Sequence, residues 1–262
     1  MRVLSALLIV ITLVACATSP TGRRQLALFS EAELAQMGDA SYEEIKANTP
    51  IETNNRINNY VKCVANEIVR PVGGAWDVTV FAEDQANAFA LPGNNIGVYT
   101  GLLDVANNQD QLAAVIGHEV AHVIANHGNE RVSTQAATQN AVGLVGAIAG
   151  AAAGDTSGGT GQLAMAALGL GAQVGVLLPF SRAQESEADI VGLRYMAQAG
   201  FDPRQSVNLW QNMQASGSGG GPQFLSTHPA PGNRIQQLQA NMQGPLQAYQ
   251  QAKAAGKRPN CG

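Results

Sequence analysis

Three of the chain's four histidines fall within ten residues, in the run His-Glu-Val-Ala-His-Val-Ile-Ala-Asn-His at 118–127. Residues four apart on a helix lie one turn apart on the same face, so His118 and His122 can aim their imidazoles at one point. Glu119 then stands beside the pair, where its carboxylate can touch a water on a metal rather than the metal itself. Leu112, Val115, Ile116, Val123 and Ile124 flank the motif with apolar side chains, so the spacing predicts a buried helix from about Asp110 to His127. A pair of core histidines bonded to backbone is the competing reading, and the acidic neighbour argues against it. His127 lies too far round such a helix to join the pair. It is expected as a residue of the helix C-terminus, where positive charge suits the dipole.

Two ligands need a third. Ser-Arg-Ala-Gln-Glu-Ser-Glu-Ala-Asp, 181–189, supplies Glu185 and Asp189, again four apart. One carboxylate can bind a metal while the other accepts the free N–H of a ligand histidine, which fixes the ring. Alone, the run would read as a solvated acidic face. Beside the upstream motif it reads as the other half of a metal site.

With both motifs in view, the chain resembles the gluzincin zinc metalloproteases that pair HExxH with ExxxD, the family of the CaaX prenyl proteases and HtpX membrane proteases. Three further segments carry the likeness: Asn-Ala-Phe-Ala-Leu-Pro-Gly and its Thr-Gly-Leu at 87–103, residues 180–203, and Ser-Thr-His-Pro at 226–229. The likeness spans roughly 24–240 and points to the small periplasmic lipoprotein branch, since there is no multi-span region and no internal repeat. Asn94 departs from it, standing where a second glycine is common. The resemblance implies a mainly helical α+β, zincin-like domain with a small, mainly antiparallel sheet beside the HExxH helix. It implies one zinc per chain on His118, His122 and Glu185, Glu119 as catalytic base, and Asp189 bonded behind a ligand. His228 and Arg234 are candidates to stabilise an oxyanion, against a plain surface loop for His228 and a helix-start cation for Arg234. The hairpin at 87–101, with Asn87, Ala88 and Phe89, would offer an edge on which an extended substrate adds as a strand. Unfolded or misfolded envelope proteins are the expected substrates. A zinc-bound chaperone or assembly factor for outer-membrane proteins is the rival, because His228 could close the site as a fourth ligand.

The remainder of the chain sets boundaries. Arg2 and the short apolar run to Val14 read as a signal peptide, 1–15, ending in Leu-Val-Ala-Cys, which looks like a bacterial lipobox. Cys16 is then the expected lipidation site and membrane anchor, with Ala17 after it suiting the outer membrane and a domain facing the periplasm. Residues 16–29 read as a tether, 30–251 as one metalloprotease domain, and 252–262 as a loose tail. Within the domain, 141–180 reads as a Gly/Ala-rich apolar hairpin. Helices are expected from the Ser30 capping box to Ala47, at 53–69, at 181–199 and at 204–213, with a strand at 76–82. Cys63 and Cys261 can persist as a disulfide in an oxidising compartment; two buried thiols are the alternative. Apolar residues make up 45% and charged ones 13%, with net charge −4. A core is easily supplied and no basic stripe exists, so nucleic acid is not an expected partner. Oligomeric state is not encoded legibly.

Overall fold

The computed structural model describes residues 16–138, 180–216, 223–229 and 232–262. The signal peptide and nearly all of the apolar hairpin therefore lie outside the described residues. Among those described, no helix is long and apolar enough to cross a membrane.

Helix α1, Glu31–Asn48, starts at the capping box: Glu33 N–H donates to the Ser30 hydroxyl, and Ser30 N–H donates back to the Glu33 carboxylate. Helix α2, Asn55–Val69, is capped by Asn54, and buries Val61, Val64, Ala65 and Ile68, an i, i+3, i+4, i+7 stripe. A three-stranded sheet follows, with strands β3, Asp77–Phe81, β4, Ala88–Leu91, and β5, Asn95–Tyr99. Its order is β3-β5-β4, parallel between β3 and β5 and antiparallel between β4 and β5. The sheet is thus mixed, half of it parallel, because the connection from β3 crosses to the far side of β5. The β4–β5 turn needs positive φ at Gly93 (90°) and Asn94 (66°), the two positions that asparagine and glycine tolerate best. Asn94 fills the second, so an asparagine where a second glycine was expected leaves the hairpin intact.

Helices α3, Gln109–Ile124, and α4, Arg182–Ala199, form the centre of the domain. They cross where Gly117 meets Gly192. A Cβ on Gly192 would lie 2.9 Å from Gly117 C and His118 N, so only glycine allows this approach. Both motif helices are thereby held backbone to backbone. Gly200, at φ 95°, ends α4. Helices α5, Gln205–Ser216, α6, Gln223–Thr227, α7, Arg234–Ala240, and α8, Gln243–Ala254, follow α4 among the described residues.

Two segments read as loose are packed. Residues 16–29 are no free tether: β1, Cys16–Thr18, pairs antiparallel with β2, Arg24–Leu26. Ser19 and Gln25 are buried, and the Gln25 amide donates to Ala125 O at 2.9 Å. The tail is also held. Gln109 donates to Pro259 O and accepts from Cys261 N–H, both at 2.9 Å, and Cys261 is disulfide-bonded to Cys63. Both segments mix charged residues with proline and glycine, so their composition resembled linker. Specific long-range hydrogen bonds order them, and these have no local signature.

Candidate metal centre

His118 and His122 leave α3 on one face, and Glu185 leaves the first turn of α4 opposite them. His118 Nε2 is 3.1 Å from His122 Nε2 and 3.4 Å from Glu185 Oε2, and His122 Nε2 is 3.4 Å from Glu185 Oε1. Tetrahedral zinc with bonds of about 2.0–2.2 Å separates its ligand atoms by roughly 3.3 Å. The spacing therefore matches what a metal demands, and it is poor as a set of hydrogen bonds between bare ring nitrogens. His228 Nδ1 joins the group, 3.3 Å from His118 Nε2 and 3.1 Å from Glu185 Oε1. The four ligand atoms lie within 4.8 Å of one another, and all four residues are buried. The group can hold a metal ion.

Electrostatics agree with the geometry. Burial pushes Glu119 up, opposed by His228 and His118. Burial would also raise Glu185, but His118 and the histidine hydrogen bonds outweigh it and hold the carboxylate ionised. Burial keeps His122 neutral. Burial pulls His118 down as well, yet Glu185 and Asp189 win there and push it up to about 9. A ligand must offer a bare atom, so His118 gives up its proton to the arriving cation while His122 and Glu185 need not.

Glu119 sits beside this group at 2% exposure, with Oε1 lacking any hydrogen-bond partner and 3.5 Å from His228 Nε2. An orphaned buried carboxylate oxygen costs free energy unless something supplies a proton there, as a water would. Its carboxylate also receives the backbone N–H of Ala90 on β4. That N–H points away from β5, so the free edge of β4 faces the site. Of the strand residues expected to bind substrate, Asn87 is buried and accepts Tyr99 N–H, while Ala88 packs in the main core. Phe89 turns into an aromatic cluster with Tyr42, Phe81 and Tyr99. Their side chains are committed to the fold, and what β4 offers the site is main chain, nearest at Ala90.

Asp189 Oδ1 is 2.9 Å from His118 Nδ1, the ring nitrogen away from the ligand group. Arg234 meets the site through its carboxylates, with Nη2 also 3.2 Å from His118 Nδ1 and 3.4 Å from His118 Nε2. It is 2% exposed, donates to Glu185 Oε2 at 3.1 Å and Asp189 Oδ1 at 2.6 Å, and lies 3.5 Å over the Trp210 ring. Its two terminal nitrogens hold the carboxylates while Nε has no hydrogen-bond partner, so it positions ligands from behind.

His127 corrects a second expectation. Helix α3 stops at Ile124, and Asn126 at φ 57° turns the chain before it becomes helical again at 127–138. The turn folds His127 back under His122, fully buried, with its Nδ1 2.9 Å from His122 Nδ1. Burial, opposed by Glu187, pushes His127 down to about 4, so it carries no charge for the dipole at neutral pH. The asparagine at 126 was the one sequence clue, since asparagine tolerates the left-handed region. Glu187 went unread because Glu185 and Asp189 absorbed the motif. Phe180 and Arg131 also went unread: the Phe180 ring lies 3.8 Å from that of His122, and the Arg131 guanidinium lies 4.0 Å over Phe180. A cavity of about 490 Å³ runs along β4 to His122, lined by Ala90, Leu91, Pro92, Arg131 and Phe180 among others.

Comparison with known proteins places this arrangement. The chain is 38% identical over 185 residues to the mitochondrial metalloendopeptidase OMA1 of Schizosaccharomyces pombe, covering 69% of this chain and 51% of that one. It is 34% identical over 237 residues to the OMA1 metalloendopeptidase of Danio rerio, covering 83% and 48%. It is also 28% identical over 210 residues to the beta-barrel assembly-enhancing protease of Escherichia coli, covering 76% and 42%. The chain thus spans about half the length, or less, of these relatives. Residues 52–242, which include both motif helices, match the profile of peptidase family M48, and the chain belongs to that family.

Proposed function

We propose that the chain is a zinc-dependent endopeptidase of the bacterial cell envelope that hydrolyses peptide bonds in unfolded or misfolded proteins. The observation that carries this reading is the convergence of His118, His122 and Glu185 with the Glu119 carboxylate, its Oε1 without a hydrogen-bond partner, at their side. When bound, the ion supplies Lewis acidity, lowering the pKa of a coordinated water to about 7 and polarising the scissile carbonyl. Glu119, made more basic by its burial, takes the proton of the attacking water and returns it to the leaving amine. The free edge of β4 and the cavity beside it suit an extended peptide bound through its main chain. Such binding selects for unfolded segments over sequence.

The envelope setting rests on the lipobox-like Leu13-Val14-Ala15-Cys16, which would anchor a periplasm-facing domain to the outer membrane. The Cys63–Cys261 disulfide suits an oxidising compartment, and the Escherichia coli relative is named for β-barrel assembly. Casein cleavage by the zinc-loaded protein, wild type beside Glu119→Gln, tests the chemistry. Cleavage by wild type alone supports it, and zinc binding by both with cleavage by neither sinks it.

His228 favours a second reading. Its Nδ1 lies within ligand distance of the group, where a fourth protein ligand would exclude water and leave a latent protease or a zinc-bound assembly factor. Under that reading His228→Ala gains casein cleavage. Unchanged or reduced activity would count against latency, and only a reduction would leave His228 as a group that acts on the substrate.

A further inference from the structure

Every nitrogen that can bind the metal leaves a second ring nitrogen behind it. For His118 that nitrogen meets Asp189 directly. For His122 it meets another histidine. His122 Nε2 faces the ligand group, so a neutral ring bound there keeps its proton on Nδ1 and needs an acceptor. The atom 2.9 Å away is His127 Nδ1, which must then be bare. The His127 proton is forced onto Nε2, which lies 3.2 Å from Glu187 Oε2. One choice, metal on His122 Nε2, thus settles both tautomers and gives a chain running from the ligand through His127 to a carboxylate.

That carboxylate is itself saturated. Glu187 Oε1 accepts from Thr21 N–H at 3.2 Å and from the Thr21 hydroxyl at 2.6 Å, and Oε2 accepts from Arg23 Nε at 3.0 Å. The other Arg23 nitrogens bind Glu130 at 2.5 and 2.7 Å. Two residues further on, Gln25 caps the carbonyl of Ala125 at the end of α3. Three groups from one N-terminal stretch therefore hold the carboxylate and the helix end that together aim His127. His127 is 0% exposed and the Glu187 side chain 3%, so water competes little for these bonds.

We infer that His127 and Glu187 are positioning residues for the metal ligand His122, and that residues 19–25 form a strap that clamps them, making the N-terminal segment part of the metal site. This rests on reading His122 as a ligand, and its test does not depend on proteolysis. The groups act on the metal through ring orientation and ligand basicity, effects commonly worth about 10–100-fold in affinity.

The experiment is zinc affinity of the full chain by chelator competition, with the visible spectrum of the cobalt-loaded protein as a second readout. His127→Phe orphans the His122 proton and is expected to weaken zinc by about 10–100-fold and shift the cobalt bands. His127→Asn keeps an acceptor near the Nδ1 position and recovers part of the loss. Glu187→Gln and Arg23→Met fall between wild type and His127→Phe. Ser133→Ala is the control: it cuts the Leu28 and Asn129 bonds of the neighbouring segment without touching Glu187, and zinc affinity should hold. Zinc binding by His127→Phe within about twofold of wild type, with the same cobalt spectrum, overturns the relay. If that variant does not fold, an unshifted cobalt spectrum in both His127→Asn and Glu187→Gln overturns it equally. Equal losses in Arg23→Met and Ser133→Ala overturn the strap, since mere loosening would explain both. Wild type that binds no metal at all refutes the metal-centre reading instead, a separable outcome.

Discussion

Gly192→Ala should damage the fold and the metal site together. A methyl there would lie 2.9 Å from Gly117 C and His118 N and 3.0 Å from Gly117 O, where ordinary contacts begin at 3.4 Å. All three neighbours are backbone atoms of α3, so no side chain can swing aside. Alanine gains about 1 kcal/mol over glycine in helix propensity. Overpacking costs about 1–3 kcal/mol, and a rigid backbone neighbour puts this case at the top of that range. The net loss is about 2 kcal/mol, a fall in Tm of roughly 4–8 °C for a domain of this size. The part that identifies the site is separate. Parting the helices moves Glu185 and Asp189 away from His118, and a tenfold loss of zinc affinity removes about 1.4 kcal/mol of zinc-dependent stabilisation. Thermal unfolding of metal-free and zinc-saturated protein separates the two effects. Gly244→Ala is the control, because nothing lies within 4 Å of a Cβ there. If Gly192→Ala matches or exceeds wild type in metal-free Tm, propensity has beaten packing and the crossing is not held as described.

Three further outcomes follow from the same structure. Arg234→Met strands the buried Glu185 and Asp189 charges and should cost about 3–5 kcal/mol in metal-free protein, but less with zinc present to compensate them; equal losses in the two states would contradict this. Cys63→Ser with Cys261→Ser should lower stability to urea by about 2–5 kcal/mol and release the 257–262 segment from Gln109, and reduced wild type should behave alike. Acid should destabilise metal-free protein in two overlapping windows. His127 is depressed from 6.5 to about 4, so its contribution holds above pH 6.5 and is lost as pH falls towards 4; Glu187 is depressed from 4.5 to about 2, with its loss between those values. Urea titrations of wild type and His127→Asn at several pH values check this. The upper window should shrink in the variant, leaving the share that buried His122 contributes, and an undiminished slope would remove His127 from it.

Some of the site was legible because its rules are local. Four-residue spacing puts His118 with His122 and Glu185 with Asp189 on any helix, whatever surrounds it. Likewise the Ser30 capping box, the Gly93-Asn94 turn and the Gly200 stop need only neighbours along the chain, and each appears where the pattern put it. His127 was misread because the same helical rule was carried three residues beyond the end of α3, past a turn at 125–126 that broke it. The partners of Arg234 were illegible for another reason: no local pattern records that two buried carboxylates and the Trp210 ring surround it.

By itself, then, the sequence determined which side chains share a helical face, where helices and the hairpin begin and end, and that two half-sites exist. Only the tertiary structure decided that they meet, because this depends on two glycines, 75 residues apart in the chain, letting α3 and α4 touch backbone to backbone. It also decided that the N-terminal segment is strap rather than tether. Hydrogen bonds from Thr21 and Arg23 to Glu187 span more than 160 residues, and such pairings depend on where folding brings the chain, which no local spacing records.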